Sequence, residues 1–217
     1  MQRIRLAMFI LIVAAGLTSP ALASGVNPGI SADEAMRVLK AGNARYVEGK
    51  LQHPHQDRVR RALTAAQGQH PLAAVLTCSD SRAPAEIIFD QGIGDIFVIR
   101  VAGNVAATDE IGSLEYAVDH LAAPLVVVLG HSQCGAVGAV LDGTKLPPNL
   151  AKLVAPIKPA VDQAREASPE AAKEVLLQAA ITDNVWQAID DMLRQSPIIR
   201  EKVRDSRVQV VGALACV

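Results

Sequence analysis

Two short apolar runs, each ending abruptly in a cluster of polar, chemically capable residues, restrict this chain more than any other feature. Leu72-Ala73-Ala74-Val75-Leu76-Thr77 leads into Cys78-Ser79-Asp80-Ser81-Arg82, and Leu125-Val126-Val127-Val128-Leu129-Gly130 leads into His131-Ser132-Gln133-Cys134-Gly135. Continuous β-branched and aliphatic runs of this length read as strands buried on both faces, which is the habit of parallel sheets covered by helices. The expected fold class is therefore α/β, with a central, mostly parallel sheet flanked by helices. In open α/β sheets the ligand crevice lies beyond the carboxyl ends of the strands, where both polar clusters fall.

Two thiols and one imidazole are enough for a zinc site. Cys78, His131 and Cys134 would supply three ligands and leave the fourth tetrahedral position to water, and a His and a Cys three residues apart at a strand-to-helix turn can reach one ion. Singly, each is more often a buried apolar group or a satisfied imidazole. As a set at two strand ends, with Asp80 and Arg82 beside the first thiol, they favour the metal reading.

These residues carry a resemblance. The chain resembles the β-class carbonic anhydrases, in which a C-x-D-x-R segment and an H-x-x-C segment provide the zinc ligands and an Asp–Arg pair. The likeness runs from about Ala41-Gly42-Asn43-Ala44-Arg45-Tyr46 to Val210-Val211-Gly212-Ala213. It implies one Zn²⁺ on Cys78, His131 and Cys134, reversible hydration of carbon dioxide to bicarbonate, and Asp80 and Arg82 as the catalytic pair. It further implies a substrate pocket made by Gln69, Phe97, Ala102 and Tyr116, some of them donated by a neighbouring subunit of a homodimer or dimer of dimers. A rival enzyme reading keeps the fold and metal but hydrolyses carbon disulfide or carbonyl sulfide. A non-catalytic zinc-binding module is the rival from another class. The proton shuttle stays open among His53, His55, His70 and His120.

At 217 residues, half of them apolar and only 3% aromatic, the chain can bury one core built from Val, Leu, Ile and Ala. Residues 1–23 read as an export signal: Arg3 and Arg5, an apolar run from Leu6 to Leu17, then the small-residue site Ala21-Leu22-Ala23. An uncleaved anchor is the competing reading, and the run is short for a span. Cleavage leaves residues 24–217 as a single periplasmic or secreted domain with no membrane association, 19 basic residues against 22 acidic ones and a formal charge near −3. Nothing basic enough for nucleic acid remains. Three Cys is an odd number for an exported protein. Thiolates on a metal account for two of them, and Cys216 is left over.

Along the chain, Ser31-Ala32-Asp33-Glu34 reads as a capping box opening a helix that Gly42 brings near its end, with little core of its own to cover. His53-Pro54-His55 reads as a solvated loop. Pro84 suits the first turn of a short helix. The Asp90–Asp95 turn leads to a strand Ile96–Arg100, and Thr108–His120 reads as the crossover helix. No G-x-x-x-x-G-K-[ST] or G-x-G-x-x-G loop occurs. Asn149–Arg204 reads as helical, with boundaries at Pro156, Pro159, Pro169 and Pro197. Val208–Ala213 is the expected last parallel strand. The family usually continues into a Tyr-Asp turn and an antiparallel strand where this sequence ends at Leu214-Ala215-Cys216-Val217, so a shorter sheet edge is expected.

Overall fold

The computed structural model describes residues 30–217; the expected export signal lies outside the described residues. From the amino end come α1 (Ala32–Val47) and α2 (Arg58–Gln67), then β1 (Ala73–Thr77), α3 (Ala85–Ile88) and β2 (Ile96–Arg100). A tight turn over Ala102–Asn104 leads to α4 (Thr108–Glu115), which widens over Tyr116–His120 before β3 (Leu125–His131). The rest is helical, α5 (Gly135–Leu141), α6 (Pro148–Val154), α7 (Lys158–Ala167), α8 (Lys173–Gln195) and α9 (Pro197–Arg204), until β4 (Gln209–Ala215) closes the chain.

The four described strands form one parallel sheet in the order β2-β1-β3-β4. Both central strands, β1 and β3, are buried along their whole length, as their unbroken apolar sequences require. Alternate side chains face opposite layers. Ala74, Leu76, Val126 and Val128 pack with residues of α4, α8 and α9, while Val75, Leu125, Val127 and Leu129 pack with α1 and α3. A third apolar cluster caps the carboxyl ends of the strands and includes Cys78, Val105, Cys134, Val137, Ile157 and Ile181.

Several local expectations need correction. Gly42, expected near the end of α1, lies five residues before its last residue, Val47. It is a contact point, because a Cβ there would lie 1.8 Å from the carbonyl oxygen of Phe89. The helix does have a core to cover, burying Ala35 and Leu39 on the sheet. Ser31 caps it through Glu34 N–H at 3.1 Å, but the Glu34 carboxylate turns to Arg37 instead of completing the box. His53 and His55 are exposed, as a solvated loop requires, and His55 Nδ1 also bonds Asp95 at 2.8 Å, whose carboxylate Arg60 holds too. The four prolines fall at helix starts or between helices as expected, with Pro156 in the short turn Ala155–Ile157 that joins α6 to α7. β4 extends two residues past Ala213, so that Ala215 pairs with His131. Among the described residues no helix is long and apolar enough to cross a membrane.

Candidate metal centre

β1 and β3 are hydrogen-bonded neighbours, so the residues that follow their carboxyl ends meet. Cys78 is the first residue beyond β1. His131 is the last of β3, and a turn with Gln133 in the left-handed region (φ 56°) brings Cys134 back to cap the start of α5. The thiol sulfurs of Cys78 and Cys134 and one imidazole nitrogen of His131 all lie within 4.8 Å of one another, with the three residues 5%, 1% and 0% exposed.

The donor chemistry fits a zinc ion. His131 Nδ1 donates to the carbonyl of Ser132 at 2.9 Å; a carbonyl can only accept, so the ring proton sits on Nδ1 and the Nε2 lone pair is free. That Nε2 is buried and has no hydrogen-bond partner. An unpaired buried nitrogen is costly, about 1–3 kcal/mol, unless something else binds it. Two sulfurs and a free imidazole nitrogen in reach of one tetrahedral ion, whose bonds to such atoms are about 2.0–2.3 Å, meet that need. Without a cation the thiols conflict. Donation from Cys134, with help from the Gly103 N–H against the cost of burial, holds the Cys78 thiol down at about 4. The negative sulfur of Cys78, together with burial, pushes Cys134 well above the ordinary thiol range, and His131 is raised, chiefly by Cys78. Three groups arranged so that one anion must serve all of them suit a divalent cation.

A model of the family described as "Carbonic anhydrase" matches residues 73–217. Carbonic anhydrase 2 of Mycobacterium tuberculosis is 40% identical over 189 residues, covering 85% of this chain and 88% of that protein. The chain belongs to the β-class carbonic anhydrase family. Among solved structures, the β-carbonic anhydrase CafA of Aspergillus fumigatus is similar at 27% identity and a TM-score of 0.67, over 83% of this chain and 86% of that one. A β-carbonic anhydrase of Sordaria macrospora, described as tetrameric, is similar at 28% identity and a TM-score of 0.65, over 85% and 92%.

Beside the Cys78–His131–Cys134 cluster, Asp80 is fixed by its neighbour. Arg82 donates from Nε to Oδ1 at 3.0 Å, from a terminal nitrogen to Oδ2 at 2.8 Å and from its backbone N–H to Oδ1 at 2.9 Å. The fork of a guanidinium fits a carboxylate in this two-point way. Asp80 Oδ2 stands 3.9 Å from His131 Nε2, beside the cluster and outside it. The Arg82 side chain, then its backbone N–H, holds the Asp80 carboxyl well below the usual carboxylate range.

Two further groups brace this shell. Arg100, which stands opposite Thr77 in the β1–β2 register, donates to the carbonyls of Cys78 at 3.1 Å and Asp80 at 2.5 Å, bracing the loop that carries both. Gly103 N–H donates to Cys78 Sγ at 3.2 Å. A basic residue ending a strand next to a ligand loop was the available signal for the first; for the second it was a glycine just past a strand end, which permits close backbone approach.

The four expected pocket residues divide. Ala102 opens the turn after β2, at the ligand end of the sheet. Phe97 and Tyr116 meet each other, ring centres 6.0 Å apart, and Tyr116 meets His120 at 5.4 Å. However, Phe97 is level with Ala74, toward the amino half of the sheet. Gln69 precedes β1, so the length of that strand alone, at about 3.3 Å per residue, sets it roughly 15 Å from Cys78 along the sheet. Within this chain, Gln69 and Phe97 thus lie along the sheet from Ala102 and the Cys78 end.

Proposed function

We propose that the chain binds one Zn²⁺ through Cys78, His131 and Cys134 and catalyses reversible hydration of carbon dioxide to bicarbonate and a proton. The observation that carries this is the buried, partnerless His131 Nε2 facing two buried thiols, with a forked Asp80–Arg82 pair alongside. When bound, zinc polarises water so that hydroxide is available near neutral pH.

The chain's own residues then have distinct tasks. Asp80 accepts a hydrogen bond from the attacking water and so turns an oxygen lone pair toward the carbon of the substrate. Because Arg82 makes it so weak a base, Asp80 orients that water without retaining its proton. Arg82 keeps the carboxylate from turning into the cluster. The apolar cap of Val105, Val137 and Ile157 keeps the ligands dry, which strengthens each electrostatic contact there.

A second copy of the chain completes the pocket in this proposal, supplying Gln69, Phe97 and Tyr116. Support comes from α2, which has no buried residue although Val59, Ala62, Leu63 and Ala66 share one helical face. Val59 is 77% and Leu63 42% exposed, and Gln69 lies two residues beyond the helix. We also propose that residues 1–23 direct export and are removed, so that the mature protein begins near Ser24 in the periplasm. Intact mass of periplasmic protein tests this, and a species retaining Met1 would refute it.

Stopped-flow hydration of carbon dioxide by purified protein, with zinc measured on the same sample, tests the main reading. About one zinc per chain and turnover that disappears on metal removal are expected. Full activity in exhaustively metal-free protein would overturn it.

A further inference from the structure

The turn at Ala102–Asn104 has a support that family membership does not assign. Gly103 takes a left-handed conformation (φ 76°), and a Cβ there would fall 2.5 Å from Ile157 Cδ1 and 3.2 Å from Ala136 Cβ, so the backbone presses directly against the apolar cap. Its N–H is aimed at Cys78 Sγ at 3.2 Å. Its carbonyl, on the next peptide unit, accepts from Asn184 Nδ2 at 2.7 Å. Asn184 sits on α8, 81 residues away in sequence and 1% exposed. The amide orientation is not arbitrary, because a carbonyl partner requires the NH₂ group.

A polar side chain buried in the apolar interior of a helix interface is unfavourable unless it has a partner, and here the partner is the carbonyl of the same glycine whose N–H addresses a ligand sulfur. Asn184 and Cys78 thus hold opposite ends of the same glycine. If the Asn184 bond is lost, Gly103 is free to rotate within its wide conformational range, and the N–H leaves the sulfur.

We propose that Asn184 is a positioning residue for the metal centre: by anchoring the Gly103 carbonyl it aims the Gly103 N–H at Cys78 Sγ, setting how strongly that thiolate donates to the metal. This rests on the zinc reading above. A hydrogen bond to a thiolate withdraws electron density from the sulfur. Its loss raises the sulfur donor orbitals and moves sulfur-to-metal charge transfer to lower energy. Outer partners of metal ligands typically alter metal affinity by 10–100-fold.

The experiment uses the full chain, with Asn184→Leu and Asn184→Ser as variants and Ile189→Ala as a control that loosens the same helix from the core without touching Gly103. Each protein is loaded with Co²⁺ for absorption spectroscopy and, separately, with Zn²⁺ for release to a chelator. We expect the charge-transfer band of both Asn184 variants to move to longer wavelength, and zinc release to quicken on the order of tenfold because Cys78 loses the N–H that holds its sulfur in the ligand geometry. The Ile189→Ala band should coincide with wild type. Should Asn184→Leu fail to fold, the Ser variant, which keeps a smaller donor, carries the test. Bands of the folded Asn184 variants that coincide with wild type overturn the inference while leaving the metal site intact. A wild-type protein with no sulfur-to-cobalt band would overturn the metal reading and this inference with it.

Discussion

Arg82→Ala is the substitution whose consequence follows most directly from the geometry. Arg82 contributes three of the contacts that fix Asp80, and two of them come from the side chain. Truncation leaves the backbone N–H on Oδ1 at 2.9 Å, so the carboxylate keeps one anchor and gains a free rotation about it. Oδ2 is already only 3.9 Å from His131 Nε2, so that rotation carries it among the ligands. The effect is geometric and not a change of charge. A lowered carboxylate pKa adds stability that is present above the ordinary value near 3.9 and is lost as pH falls through the native one; without Arg82 the group returns toward 3.9 and is still ionised at pH 7. Activity should therefore fall by a factor on the order of 10² at every pH between 6 and 9, the scale for a lost outer partner. Arg82→Lys, which keeps the charge but not the fork, should fall between. The assays are stopped-flow hydration across that pH range and zinc-edge absorption. Arg82→Ala with activity within threefold of wild type and unchanged coordination would refute the reasoning.

Other expectations are shorter to state. Cys134→Ser, whose hydroxyl does not ionise near neutral pH, should lose both zinc and activity while its far-ultraviolet circular dichroism stays close to wild type. Cys216→Ser should keep its zinc content and its hydration rate, since Cys216 is exposed and apart from the Cys78–His131–Cys134 cluster; a drop in zinc would count against the ligand set. Val59→Glu with Leu63→Glu should lower the assembled mass seen by sedimentation, weakening association on the order of tenfold or more because an unpaired charge is buried. Activity should fall with it and zinc content should not, which separates a completed pocket from an intact metal site.

What could be read in advance was local. A five-residue or seven-residue buried run ending in a polar cluster states both the strand and the place where the strand stops, so Cys78, Asp80, Arg82, His131 and Cys134 were legible together. Signals with two meanings were not. Gly42 has the composition of a helix end, and only the Phe89 carbonyl at 1.8 Å from its absent Cβ shows that it marks a close approach instead. Glu34 satisfies the capping-box spacing, yet Arg37 lies one turn on and wins its carboxylate. α2 was missed because its apolar face meets no core of its own chain.

The groups around the metal cluster were hidden for a further reason, which separates ligands from the residues that hold them. A ligand must be a particular side chain at a particular strand end, so it writes itself into the sequence. A holder needs only to deliver one hydrogen bond, and any element that the fold brings near can supply it: Arg100 from the neighbouring strand, Gly103 through its backbone, Asn184 from a helix 81 residues on. The pocket extends the same logic beyond a single chain. Gln69, Phe97 and Tyr116 lie toward the end of the sheet away from Cys78, and Gln69 adjoins a helix face that the chain leaves uncovered. Covering that face and completing that pocket would be one event if a second copy does both. Association would then gate catalysis, and the α2 double variant distinguishes this from a pocket that each chain closes alone.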